Sequence, residues 1–172
     1  MTQTLRAGVG LVLSMALWLA GCDTKRIEKL EEGLATEADV RQQFGEPEVI
    51  HDERNGSRTF EYPRQPEGQT NYMITIGADG KMSSLRQVLK ADTFAKVTPG
   101  LDRPQVRRLL GRPAKVSSYA LKQEEVWDWR YLDGQQPKLF SVTFNRDGRV
   151  ASSASTDDVR VARTTATAVT AR

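Results

Sequence analysis

The chain contains a single cysteine, Cys22, and a single histidine, His51. These two residues limit its chemistry before any fold is considered. A structural zinc site draws four ligands mostly from Cys and His, and a Cys–His nucleophile pair needs both side chains free and adjacent. His51 lies in a segment of strand character beside two ordinary acids, Asp52 and Glu53, and reads as a surface or edge-strand residue. Carboxylates are plentiful: Glu28, Glu31 and Glu32 on a first helix, Glu124 and Glu125 ahead of a strand. Their spacing gives no reason to pair any two of them in a cleft. No glycine-rich phosphate loop, G-x-S-x-G elbow or S-x-x-K appears in the context those motifs require. The residues therefore point to no catalytic group, no metal and no cofactor, and to a protein that is not an enzyme.

Cys22 has a different use. Arg6 supplies a positive start, Ala7 to Ala20 is uncharged and mostly apolar, and Leu19-Ala20-Gly21 leads directly into Cys22. The apolar run is shorter than the roughly 20 residues that a membrane-spanning helix needs, so residues 1–21 read as a cleaved leader. Small residues ahead of a cysteine resemble the lipobox of bacterial lipoproteins. That resemblance implies a mature chain beginning at an acylated Cys22, held in the membrane by several acyl chains. It also consumes the one thiol, so no disulfide is available and burial must hold the core. The net charge of +3 is small, and no Lys/Arg block occurs, which argues against a nucleic-acid partner. Asp23, directly after the cysteine, resembles the sorting signal that retains enteric lipoproteins in the inner membrane.

The elements that follow form two copies of one pattern. Thr36 and Asp39 make a T-x-x-D helix start. Val40 and Phe44 lie four apart on one helix face, and Gly45 then Pro47 supply a stop. At one constant offset, Asp102, Gln105, Val106, Leu110, Gly111 and Pro113 repeat the whole set. Phe60-Glu61-Tyr62 is matched by Trp129-Arg130-Tyr131, two aromatics on one strand face with a charge on the other. A Pro/Gly/Gln-rich loop follows each, Pro63 to Thr70 and Leu132 to Lys138. Tyr72, Ile74 and Ile76 then alternate with polar neighbours, as do Phe140, Val142 and Phe144. Asp79-Gly80 and Asp147-Gly148 read as type I′ hairpin turns, and Asn55-Gly56 marks an extra hairpin in the first copy.

The expected fold class is α+β, with two tandem repeats. Each is a helix-turn-helix followed by three to four antiparallel strands, the helices covering one sheet face. The first repeat spans residues 22–90 and the second 91–155, the two packed together, in one arrangement as a long curved sheet. Residues 156–172 lack aromatics, glycine and periodicity, and read as a disordered tail. The opposite sheet face carries Glu61, Met73, Thr75, Asp128, Arg130, Ser141 and Thr143. These residues, with Trp127 as an aromatic anchor near a strand end, are the expected partner-binding set.

The second copy, from Pro99-Gly100-Leu101-Asp102 through Gly111-Arg112-Pro113, Trp129-Arg130-Tyr131 and Phe140 to Val150, resembles the domain of the BamE (SmpA/OmlA) family of lipoproteins. The first copy fits with one more residue in its inter-helix loop and Phe60 in place of Trp. A tandem pair of such units is similar to the β-lactamase-inhibitor protein architecture, which however is soluble and disulfide-bonded. The resemblance implies a lipid-anchored, periplasm-facing scaffold for other envelope proteins, the outer-membrane assembly machinery among them. An inhibitor or sensor that grips an envelope enzyme through its sheet is the alternative. The family points to the outer membrane and Asp23 to the inner one.

Overall fold

The computed structural model describes residues 22–159. The leader expected over residues 1–21, and residues 160–172 of the expected tail, lie outside the described residues. The chain runs α1 (Cys22–Ile27), α2 (Glu37–Phe44), β1 (Val49–Asp52), β2 (Arg58–Pro63), β3 (Asn71–Ile76), β4 (Met82–Gln87), α3 (Ala91–Phe94), α4 (Arg103–Leu110), β5 (Lys115–Tyr119), β6 (Glu124–Asp133), β7 (Gln136–Phe144) and β8 (Val150–Asp157). This is the α+β tandem expected, with two helices and four antiparallel strands in each unit. The sheets run β1-β2-β3-β4 and β5-β6-β7-β8, and they are separate, so no long continuous sheet forms. Among the described residues no helix is long and apolar enough to cross a membrane.

The repeated caps build the two longer helices. In α2 the Thr36 hydroxyl accepts from the Asp39 N–H at 3.3 Å, while the Thr36 N–H donates to the Asp39 carboxylate at 2.8 Å. In α4 Asp102 and Gln105 exchange the same two bonds, both 2.9 Å. Each box satisfies two N–H groups that the first helical turn leaves open. Both helices end on a glycine with positive φ, 82° at Gly45 and 74° at Gly111, where a side chain is disfavoured. The cap residues also touch the start of each fourth strand, through bridges Thr36–Lys81 and Asp102–Arg149. The sequence repeat is thus a repeat of tertiary contacts.

Several elements differ from the sequence reading. α1 ends at Ile27, so Glu28, Glu31 and Glu32 lie in the turns after it, and Glu32 accepts the Leu85 N–H at 2.9 Å. The second unit has its own first hairpin, β5–β6, because Gln123 adopts a left-handed conformation (φ 53°) that reverses the chain without glycine. Leu132 to Lys138 is not a loop: β6 and β7 continue to a tight turn at Gly134. The Asp-Gly turns are not type I′, since φ is positive at Gly80 and Gly148 but not at the preceding aspartates. Each is a three-residue loop, 78–80 and 146–148, with glycine at the bulge position, and the register shifts beside it at Thr75/Ile76 and Thr143/Phe144. β8 runs two residues past Ser155, and Asp158 beyond it is buried.

Two apolar cores follow from the strand alternation. Val40 and Phe44 of α2 pack on Phe60, Tyr62, Tyr72, Ile74 and Ile76. Val106 and Leu110 of α4 pack on Trp129, Phe140, Val142 and Phe144, joined by Phe94, whose ring stacks on Phe140 with centroids 4.0 Å apart. Met73 belongs to the second core although it sits on the first sheet. The reason is that α4 lies between the sheets. One side of it covers the second sheet and the other covers the face of the first sheet that sequence periodicity had left open.

Candidate binding surface

The residues expected to share one exposed face are divided by this layering. Glu61 and Met73 are 0% and 1% exposed, which removes them from any partner surface. Thr75 is half-buried beside them, its hydroxyl 3.2 Å from that of Thr59. Asp128, Arg130, Ser141 and Thr143 lie on the outer face of the second sheet, since Asp128 pairs with Ser141 and Arg130 with Leu139 across the ladder. Asp128 accepts a hydrogen bond from the Ser141 hydroxyl at 2.6 Å. Val126 and Leu132 alternate onto the same face, and Leu132 is exposed. Trp127 points the other way, onto the inner face. Its ring meets Phe144 at 5.0 Å and its Nε1–H donates to Glu125 at 2.8 Å. It lines a groove of about 370 Å³ between the units, with Val49, His51 and Pro104.

Glu61 is instead the centre of a clasp between the units. Arg107 of α4 donates to it through Nη2 at 3.1 Å and Nε at 3.3 Å, and the Arg112 backbone N–H donates at 2.8 Å. His51 Nε2 stands 3.3 Å from its second oxygen. Arg107 also reaches Glu48 at 3.0 Å, and Arg112 meets Glu48 at 2.8 Å. Burial works against the charge on Arg107, but the hydrogen bonds and charges of Glu61 and Glu48 outweigh it and raise the guanidinium pKa above its ordinary value. A second clamp caps α4 from across the interface. The buried Asn71 side chain donates to the carbonyl of Leu110 at 2.7 Å, an acceptor that the helix C-terminus leaves open, and to that of Arg112, just past the helix, at 3.0 Å.

The loop from Arg64 to Thr70 closes the third contact. The Gln65 carboxamide donates to the Arg130 carbonyl at 2.8 Å and accepts its N–H at 3.3 Å, so a side chain continues the ladder where β5 has ended. The Arg130 guanidinium binds Asp158 at 2.7 Å and the Pro66 carbonyl at 3.2 Å. Arg130 is therefore largely committed within the chain, a correction to its expected role as a free partner contact. Asn71, Arg107, Arg112 and Gln65 carry the interface, and sequence reasoning had singled out none of them. Asn71 at the head of an otherwise alternating strand was the one available signal. Among the described residues no group of three or more His, Cys, Asp or Glu side chains comes together to hold a metal.

The fold and surface define an α+β tandem whose units share one helix layer and leave one polar sheet face open. Residues 87–154 match the model of the outer membrane protein assembly factor BamE domain, so the second unit is a BamE-like domain. The first unit repeats its order of elements, making the fold a BamE-like tandem. No curated protein matches the sequence. Among solved structures, one described as the osmotically inducible lipoprotein OsmE is 20% identical, covering 49% of this chain and 90% of its own, with a TM-score of 0.37. The DUF4309 protein YjgB from Bacillus subtilis is 19% identical over 80% of this chain and 93% of its own (TM-score 0.31). A structure described as a β-lactamase inhibitor protein from Streptococcus mutans is 11% identical over 79% and 96% (TM-score 0.30). Likeness at this level says nothing about function.

Proposed function

We propose that the protein is a lipid-anchored, periplasm-facing lipoprotein that acts as a non-enzymatic scaffold in cell-envelope assembly, with its outer second-sheet face as the docking surface. The observation that carries this reading is the combination of a BamE-like domain with an uncovered polar sheet face on that same domain. Asp128, Ser141 and Thr143 form the contact set, with Arg130 held at its margin by Asp158. Cys22 carries the lipid, and Asp23 bears on which membrane receives it. The partners are other envelope proteins, outer-membrane assembly components first among them. A grip through both sheets, as an inhibitor would use, has little support, because α4 occupies the face of the first sheet.

The test is photo-crosslinking in cells from a reactive residue placed at Thr143 or at Thr75, with the two membranes fractionated from the same culture. Thr143 should capture envelope-assembly proteins in the outer-membrane fraction, and Thr75 should capture none. Equal capture from Thr75, or recovery in the inner membrane alone, overturns the reading.

A further inference from the structure

The junction between the units forms a second feature, separate from the proposed docking face. Arg86 at the end of β4, Lys90 in the connector, Lys96 after α3 and Arg108 of α4 line one cleft of about 220 Å³. Asp92 is the one carboxylate in that lining, and Thr93 adds a hydroxyl group. Elsewhere six arginines are neutralised: Arg41, Arg58, Arg103, Arg107, Arg112 and Arg130 each meet a carboxylate. Arg86, Lys90 and Lys96 make no side-chain ion pair or hydrogen bond with any described residue. Arg108 reaches Glu53 at 3.3 Å, with half its side chain in solvent. Cations that outnumber the nearby carboxylates repel one another, and an apolar wall concentrates their field. Val88 and the partly buried Leu109 provide that wall here.

We infer that this cleft binds a phosphate group, with Arg86, Lys90 and Lys96 as its ligands and Arg108 at its edge. An arginine fork and lysine ammonium groups match the oxygens of a phosphoryl dianion and form charge-assisted bonds stronger than neutral ones. The site draws residues from both units, so it exists only because the units are fused in tandem. Its charge chemistry fits either a free phosphate or the phosphomonoester headgroup of a lipid.

Amide chemical-shift titrations of the full detergent-purified chain test the inference. The probes are inorganic phosphate and dihexanoyl phosphatidic acid, each at low salt, where the charges are least screened. Saturable shifts should centre on residues 86–96. The Arg86→Gln/Lys96→Gln variant changes two exposed side chains and should weaken binding about tenfold or more. A tenfold preference for the lipid assigns a headgroup; equal or tighter binding of inorganic phosphate assigns the free anion. Either assignment supports the site. The inference fails if neither probe binds at about 10 mM, where millimolar affinity registers. It also fails if the variant binds like the parent, or if Lys115→Gln/Lys122→Gln, two exposed lysines outside the cleft, weakens binding equally.

Discussion

Replacing Arg107 by methionine keeps most of the side-chain length and removes the charge that faces Glu61. The carboxylate would then remain in a position with 0% exposure, keeping the Arg112 N–H at 2.8 Å and His51 at 3.3 Å as its neighbours. Breaking a buried ion pair from one side costs about 3–5 kcal/mol. Arg107 is 34% exposed, so part of its charge already sits in water, and the expected loss is smaller than that range, about 2–3 kcal/mol. For a chain of this size that lowers the melting temperature by about 5–10 °C. Glu61→Gln is the asymmetric partner. It preserves an acceptor for the Arg112 N–H and leaves Arg107 with Glu48 and solvent, for a cost of about 1 kcal/mol. The double variant should lie close to Glu61→Gln, since removing both charges removes the stranded one. Urea unfolding of leaderless Cys22→Ser protein, followed by tryptophan fluorescence, measures all three. Losses that simply add, or an Arg107→Met effect below about 0.5 kcal/mol, would refute the clasp as the bond between the units.

Asn71→Ala should cost about 2–3 kcal/mol in the same assay, because two carbonyls at the end of α4 lose their shared donor; a parental stability rules that out. Gly45→Ala and Gly111→Ala both force alanine into positive φ, at about 1–2 kcal/mol. Only at Gly111 does the new Cβ also meet the Asn71 amide at 3.0 Å and Met73 at 3.4 Å, so Gly111→Ala should be measurably worse, and equal losses would contradict the tight approach of α4. Burial raises the Tyr62 phenol to about 12 from its ordinary 10, with Arg41 opposing and Glu46 and Glu37 adding to the rise. The unfolded chain then releases that proton first, so stability present up to about pH 10 is lost as the pH climbs towards 12. Tyr62→Phe should flatten that part of a stability-versus-pH curve; an unchanged slope would assign it to other groups.

The repeat was legible because its signals are local. A capping box joins residues three apart, and Val40 with Phe44 or Val106 with Leu110 share a face through helical spacing alone. Strand alternation likewise assigned Phe60, Tyr62, Trp129 and Phe140 to apolar faces correctly. Alternation sorts side chains into two faces without saying what covers the second. Glu61 and Arg130 occupy equivalent places in the two copies, each flanked by aromatics, yet their surroundings differ. Glu61 is sealed under a helix of the other unit, and Arg130 bonds to a residue beyond the last expected strand.

Residue types and short-range spacing thus settled the α+β class, the two units and their caps. The tertiary structure decided which polar face stays open, because that depends on where α4 of the second unit comes to rest. A buried carboxylate is tolerable only beside a cation and donors that compensate its lost hydration. For Glu61 those groups come from Arg107 and Arg112, far along the chain and outside the reach of any periodic pattern.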